Sequence, residues 1–280
     1  MRRDYSVGVY EKAFPETLSL NEMLKEAKQA GFDFFEINID RTEQRISRVF
    51  DDEYIRMAKD AIRENDFAIS SLGLSALGTY TLGHPDPVVV GRGMEIFRHT
   101  VIFAEKLGIR MIQIPGADMP KSDRRDESTD ERFFENLKRA ADFAYAHGML
   151  LGIENMENDY MDTVEKCLKA EAAVSSPYLR LYPDSGNITN AFSNNMPAII
   201  SDLSKARGHA LAFHFKEVTP VRYGGLFYGD GWVDFPSIAR EAYRIGIKRF
   251  TMEYWYTGNP QWRDDLKKAR NLCDIWLNQK

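Results

Sequence analysis

The stretch KEAKQAGFDFFEINID, residues 25–40, joins the end of an amphipathic helix to a short apolar strand through Gly31. Three later stretches keep the same order of helical pattern, glycine and apolar run: AEKLGIRMIQIPG (104–116), AYAHGMLLGIEN (144–155) and AYRIGIKRFTMEYW (242–255). Glycine tolerates the left-handed backbone conformation that ends many helices. Each stretch therefore predicts a helix, a short loop and a buried strand.

Eight short apolar runs recur along the chain, and such runs are typical of parallel strands covered on both faces. They span residues 7–9, 34–39, 69–74, 111–114, 150–153, 179–182, 211–215 and 250–255. Helical patterns lie between them, near 18–30, 53–65, 88–107, 129–147, 160–175, 192–206, 235–245 and 260–278. Eight strands that alternate with eight helices predict a single (β/α)8 TIM-type barrel over residues 1–280. A doubly wound open sheet is the alternative, although no G-x-G-x-x-G follows the first strand.

Two of the helix starts carry the pattern S-x-x-E. Ser19 precedes Glu22 by three residues, and Ser128 precedes Glu131 in the same way. In a capping box the serine and the glutamate satisfy each other's backbone N–H groups. We expect this arrangement at both helix starts.

The composition narrows the class of protein. The net charge of −5 disfavours a nucleic-acid-binding surface, and no run of 18 apolar residues could span a membrane. Two isolated cysteines, Cys167 and Cys273, argue against a disulfide scaffold and favour a reducing cytosol. With five histidines in the chain, a site that needs many imidazoles is excluded.

Four ionisable residues lie at the ends of the last four predicted strands. Glu154, Asp184, His214 and Glu253 follow one another at intervals of 30, 30 and 39 residues, about one strand–helix unit each. Taken singly, each carboxylate could cap a helix or shape a turn, and the histidine could be a core residue. Because a barrel gathers its strand ends at one face, the set predicts one site for a divalent ion: Mn, Mg or Zn.

The sequence resembles the sugar phosphate isomerase/epimerase superfamily and, within it, the L-ribulose-5-phosphate/L-xylulose-5-phosphate 3-epimerases. The resemblance rests on GVYEKAFP (8–15), GFDFFEINID (31–40), GIRMIQIPG (108–116), LYPDSGN (181–187), HFKE (214–217), GDGWVDF (229–235) and MEYW (252–255). These segments occur in order over nearly the whole chain.

The resemblance implies a barrel whose one divalent metal ion is held by Glu154, Asp184, His214 and Glu253. It also implies that Glu154 and Glu253 exchange the proton at C3 of a ketose phosphate through an enediolate. Inversion at C3 requires proton removal on one face and return on the other, which two carboxylates can supply. A small-molecule sugar phosphate is then the substrate, and a homodimer or larger assembly is expected.

Further polar residues near the strand ends are candidates for binding the substrate. They are Lys12, Glu36, Gln113, Asn187, Lys216 and Trp255. The glycines at 229 and 231 predict a tight turn whose backbone N–H groups could approach an anion.

The loop after the third strand departs from the family pattern. It reads LSALGTYTLGHPD (74–86), with Leu77, Gly78 and Thr79 where related chains carry a histidine and adjacent arginines. An unphosphorylated ketose is therefore an alternative substrate. An aldose–ketose isomerase on the same metal site and a non-catalytic sugar-binding barrel are the alternative functions.

Overall fold

The computed structural model describes residues 3–120 and 123–278. Within them, eight parallel strands form one curled sheet in the order β6-β5-β4-β3-β2-β1-β8-β7. The strands are β1 (Ser6–Tyr10), β2 (Phe34–Asn38), β3 (Ile69–Gly73), β4 (Met111–Pro115), β5 (Leu150–Glu154), β6 (Leu179–Leu181), β7 (Phe213–Lys216) and β8 (Arg249–Glu253). The predicted TIM-type barrel is confirmed, and the open-sheet alternative is wrong.

The barrel closes where β6 approaches β7. Two isolated parallel bridges, Leu181 to Ala210 and Asp184 to His214, take the place of a continuous ladder there. The backbone N–H of His214 donates to the carbonyl oxygen of Pro183 at 2.9 Å. This bridge brings the ends of β6 and β7 together at the carboxyl-terminal edge.

Helices cover the outside of the barrel between successive strands. They are α1 (Leu20–Gln29), α2 (Glu43–Ile46), α3 (Asp52–Asn65), α4 (Pro87–Leu107), α5 (Thr129–Ala146), α6 (Val164–Val174), α7 (Ser185–Ala191), α8 (Met196–Ser204), α9 (Phe235–Arg244) and α10 (Trp262–Asn278). No helix of the described residues is long and apolar enough to cross a membrane.

The glycines that define the repeat take the backbone conformation expected of them. Gly31, Gly108, Gly148 and Gly246 have φ of 86°, 79°, 60° and 100°. Each lies between the end of a helix and the next strand, so the left-handed residue turns the chain back toward the sheet.

One capping box is confirmed and the other is wrong. At α1, Ser19 and Glu22 bond reciprocally. At α5, Ser128 has φ −102° and ψ 5° and its side chain makes no cap bond. The hydroxyl of Thr129 instead donates to Oδ1 of Asp126 at 3.0 Å and accepts from the Asp126 N–H at 2.9 Å, just before the helix.

Element boundaries differ from prediction mainly at the carboxyl ends. The strand predicted over 211–215 is Phe213–Lys216, and the run 250–255 leaves the strand after Glu253. The helices α2 and α7 are short and were not predicted. That all of 1–280 forms one domain stays a prediction, since residues 1–2, 121–122 and 279–280 lie outside the described part.

Candidate metal centre

Four ionisable side chains meet at the carboxyl-terminal edge of the sheet. Glu154 ends β5, Glu253 ends β8, His214 lies in β7 and Asp184 follows β6. One ligand atom from each lies within 4.8 Å of the others, and all four residues are buried. The structure thus brings together the four residues that the strand-end spacing indicated.

The imidazole of His214 lies between two sets of carboxylates. Its Nδ1 atom is 2.8 Å from Oε1 of Glu154 and 2.9 Å from Oε2 of Glu253. Its Nε2 atom is 2.6 Å from Oε1 of Glu36, and the ring packs on Tyr182 with centroids 4.6 Å apart. One ring nitrogen therefore faces the cluster and the other faces away from it.

Glu36 lies beneath the cluster, fully buried. Its Oε2 atom accepts hydrogen bonds from the hydroxyls of Ser71 at 2.6 Å, Tyr182 at 2.6 Å and Thr251 at 3.1 Å. Burial raises the pKa of Glu36, but His214 and the hydroxyls of Ser71 and Tyr182 outweigh it and lower the pKa below its usual value. Both oxygens of Glu36 are hydrogen-bonded within the protein, and the sugar contact that the sequence predicts for it stays a prediction.

Asp184 caps α7 and reaches the cluster at the same time. Its Oδ1 atom accepts from the Asn187 N–H at 2.7 Å and lies 3.3 Å from Nζ of Lys216. Asn155 fixes the local backbone, because its Oδ1 accepts from the Asp184 N–H at 2.8 Å. The Oδ2 atom of Asp184 is buried and has no hydrogen-bond partner among the described residues.

Burial and neighbouring charges shift the pKa values of all four residues in this cluster. Burial raises the pKa of Asp184 to about 8 and raises that of Glu154. Burial also acts on Glu253, but Lys216 and His214 outweigh it and lower the pKa of Glu253 to about 2. Burial would lower the pKa of His214, yet Glu36 and Glu253 raise it well above its usual value.

These features fit a divalent cation. In the part of the chain that the structure describes, these three buried carboxylates form ion pairs with one lysine and one imidazole, and a buried carboxylate without a countercharge is costly. The free Oδ2 of Asp184 adds an acceptor that lacks a donor. Three carboxylates and one imidazole form a ligand set suited to Mn, Mg or Zn. The four residues could therefore hold one such ion.

The remaining substrate-binding candidates lie around this cluster. Nε2 of Gln113 donates to Oε2 of Glu154 at 2.5 Å. Lys12 pairs with Asp40 at 3.3 Å and lies 5.2 Å from the ring centre of Trp255, which is 40% exposed. Lys12 and Trp255 thus contact each other at the rim, while Gln113 contacts the cluster itself.

The sequence did not predict the hydrogen bonds that Tyr182 and Thr251 donate to Glu36 beneath the cluster. Thr251 precedes Glu253 by two residues in β8, so it lies one step deeper on the same strand face. Tyr182 precedes Asp184 by two residues just after β6. Gly152 precedes Glu154 in the same way, and a Cβ there would approach the Tyr182 ring to 2.9 Å. The polar residues two places before Asp184 and Glu253 were the signal available.

The GDGWVDF segment surrounds an anion that belongs to the chain itself. The buried carboxylate of Glu217 accepts from the N–H groups of Gly229 at 2.9 Å, Val218 at 3.1 Å and Val233 at 3.2 Å. The segment therefore folds back on Glu217, next to the end of β7.

We expect Gly231→Ala to destabilise the protein. A Cβ at Gly231 would overlap the carbonyl oxygen of Val218 and the carboxylate of Glu217. Overpacking of this kind costs about 1–3 kcal/mol, measurable by denaturant unfolding. Gly91→Ala is the control, because the site in α4 has open space around it and alanine favours a helix. Equal stability of the two variants would contradict this prediction.

The chain matches the family model described as xylose isomerase-like TIM barrel over residues 24–272. It is 34% identical to the putative L-ribulose-5-phosphate 3-epimerase SgbU of Escherichia coli K12, over 90% of each chain. It is also 34% identical to the L-ribulose-5-phosphate 3-epimerase UlaE of Salmonella paratyphi C, covering 97% of this chain and 94% of that one.

Solved structures share the fold at lower sequence identity. The D-psicose 3-epimerase of Clostridium cellulolyticum H10, solved with D-tagatose, superposes with a TM-score of 0.79 at 17% identity, over 98% of this chain and 100% of that one. The D-allulose 3-epimerase of a Methylomonas species gives 0.80 at 20% identity, over 98% of each. At these identities the likeness establishes the barrel alone.

Proposed function

Because the chain belongs to the xylose isomerase-like TIM barrel family, we propose that it is a metal-dependent 3-epimerase of a ketose phosphate, of the L-xylulose 5-phosphate to L-ribulose 5-phosphate type. Its curated relatives are epimerases, and the chain is an enzyme of the isomerase class. One observation carries the proposal: Glu154 and Glu253 approach the same imidazole nitrogen from different strands, at 2.8 and 2.9 Å.

The metal would be held by Glu154, Asp184, His214 and Glu253. A bound divalent ion supplies positive charge that stabilises the enediolate formed when C3 loses its proton. Asp184 would contribute its unpaired Oδ2 to this set, while Asn155 and Asn187 hold its backbone and its other oxygen in place.

In this proposal, Glu154 and Glu253 transfer the proton at C3. Glu154 ends β5 and Glu253 ends β8, and the ends of β6 and β7 lie between them. The proposal requires a ketose bound beside these strand ends with one carboxylate on each face of C3. One removes the proton and the other returns a proton to the opposite face, and their roles reverse in the reverse reaction.

The remaining neighbours would bind and orient the sugar. Gln113 fixes the rotamer of Glu154 by its bond to Oε2. Lys216, buried beside Asp184, and Lys12 at the rim are the cations available for a sugar oxygen or a phosphate. Trp255 offers an aromatic surface for the sugar carbons. A cytosolic location and assembly as a homodimer stay predictions.

An unphosphorylated ketose is the second candidate substrate. The loop after β3 forms a 3₁₀ turn at Ser75–Gly78, in which Ala76 and Leu77 are buried. This turn offers no cation to a phosphate, whereas Lys12 lies in the 3₁₀ turn after β1 and Lys216 ends β7.

Phosphorylated and free pentuloses distinguish the two candidates. We expect the metal-loaded protein to epimerise L-xylulose 5-phosphate with a kcat/KM at least about 100-fold above that for L-xylulose, because charged hydrogen bonds contribute about 1.5–3 kcal/mol each. The two ketose pairs are followed by NMR, with chelator-treated protein as the control. Equal rates, or a preference for the free sugar, would overturn the phosphate assignment.

A further inference from the structure

Glu36 reaches His214 from across the barrel. It lies in β2, 178 residues from His214 in β7, and its Oε1 atom is 2.6 Å from Nε2 of the imidazole. Both side chains are almost completely buried. This contact lies on the side of the ring opposite the three carboxylates of the proposed metal centre.

The second oxygen of Glu36 is fixed independently. Three hydroxyls donate to Oε2 from three other parts of the barrel: Ser71 in β3, Tyr182 just after β6 and Thr251 in β8. The Tyr182 and Thr251 hydroxyls also lie 3.1 Å from each other. Because these donors hold Oε2, the carboxylate cannot rotate Oε1 away from His214, nor move up into the cluster.

A neutral imidazole carries its proton on one nitrogen and offers a lone pair on the other. A carboxylate fixed at Nε2 favours the proton on that nitrogen. In the neutral form that can bind a metal, the lone pair of His214 then lies on Nδ1, which faces Glu154 and Glu253. Histidines that bind metals commonly donate their other N–H to a carboxylate in this way.

We propose that Glu36 is a positioning residue that holds His214 as its Nε2–H tautomer and directs Nδ1 to a divalent ion. The contact of Glu36 with the sugar that the sequence suggests stays a separate prediction. The inference rests on the metal centre of the proposed function, but it concerns metal binding alone and can be tested without any sugar.

The first test measures metal affinity. Glu36→Gln presents a neutral amide to Nε2 and is nearly the same size as the native side chain. We expect the dissociation constants for Mn²⁺ and Co²⁺ to rise roughly 10–100-fold, the usual effect of losing such a contact. Glu171→Gln is the matched control, since Glu171 is also a buried glutamate paired with a histidine, His209 at 2.5 Å, but lies in α6 outside the four-residue group, and its dissociation constants should stay within about threefold of the native values.

The second test reads the ring directly. In the Co²⁺-loaded protein, the Nε2–H of a ligand bound through Nδ1 gives a paramagnetically shifted, exchangeable proton resonance. We expect this resonance in the native protein and its loss or fast exchange with solvent in Glu36→Gln. In Glu36→Asp, which keeps the charge on a shorter side chain, we expect this resonance to exchange with solvent faster than in the native protein and more slowly than in Glu36→Gln.

A purely structural role gives a different result. In that case Glu36→Gln lowers the melting temperature, while its metal dissociation constants match those of the native protein, and the proposal is overturned. If Glu36→Gln does not fold, Glu36→Asp decides by the same comparison. Native protein that binds metal as described but does not epimerise sugars contradicts the proposed function and leaves this inference intact.

Discussion

Glu154→Gln is expected to reduce turnover by about 10²- to 10⁴-fold, the contribution of a positioned acid–base group, while the fold is kept. The variant keeps the size of the side chain and removes the buried carboxylate. Burial raises the pKa of this carboxyl group in the native protein. Glutamine cannot accept or return a proton at C3. Steady-state kinetics with saturating metal, together with thermal unfolding, measures both parts of this prediction.

Glu95→Gln is the matched control for this experiment. Glu95 is exposed on α4 and pairs with Arg92 at 2.8 Å, so its replacement should leave turnover unchanged. Native turnover in Glu154→Gln would show that this carboxylate does not move the proton. A variant that fails to bind metal even at high concentration would instead show that its charge is needed mainly as a ligand.

Asp184→Asn is expected to weaken metal binding strongly while the fold is kept. Asparagine caps a helix as well as aspartate does, so the bond to the Asn187 N–H can persist. The variant also removes a buried carboxylate that has an unpaired oxygen. Because residues that only orient metal ligands already contribute roughly 10–100-fold, we expect the metal dissociation constant to rise more than about 100-fold.

Thermal unfolding with and without metal measures this effect. At a metal concentration 100 times the native dissociation constant, binding stabilises the native protein by about 2.7 kcal/mol. A 100-fold weaker variant gains only about 0.4 kcal/mol under the same conditions. Asp202→Asn is the control, because Asp202 is also buried and binds the Val164 N–H at 2.7 Å but lies outside the four-residue group. Equal stabilisation of Asp184→Asn and native protein would contradict the ligand role.

The barrel was predictable because its signals are local. A glycine such as Gly31 or Gly246 marks where a helix ends and the next strand begins to within a few residues. The closure of β6 on β7 was not predictable in detail, since it consists of isolated bridges rather than a strand ladder. The strand predicted over 211–215 accordingly begins two residues later, at Phe213.

The four residues of the candidate site were predictable because parallel strands end at one edge of the barrel. Their surroundings were not, because they depend on contacts between distant parts of the chain. Glu36 bonds to Tyr182 across 146 residues and to Thr251 across 215. The anion expected near Gly229 likewise proved to be the chain's own Glu217. The sequence pattern within one β-strand does not specify which side chains from different strands contact each other.

Hydrogen exchange at the sugar tests the central claim most directly. The metal-loaded protein is incubated in D₂O with L-xylulose 5-phosphate or L-ribulose 5-phosphate, and deuterium is located by NMR. Epimerisation through Glu154 and Glu253 predicts deuterium at C3 of both sugars and at no other carbon. Deuterium at C1 would indicate an aldose–ketose isomerase, and the absence of deuterium from every carbon would contradict proton transfer at this site.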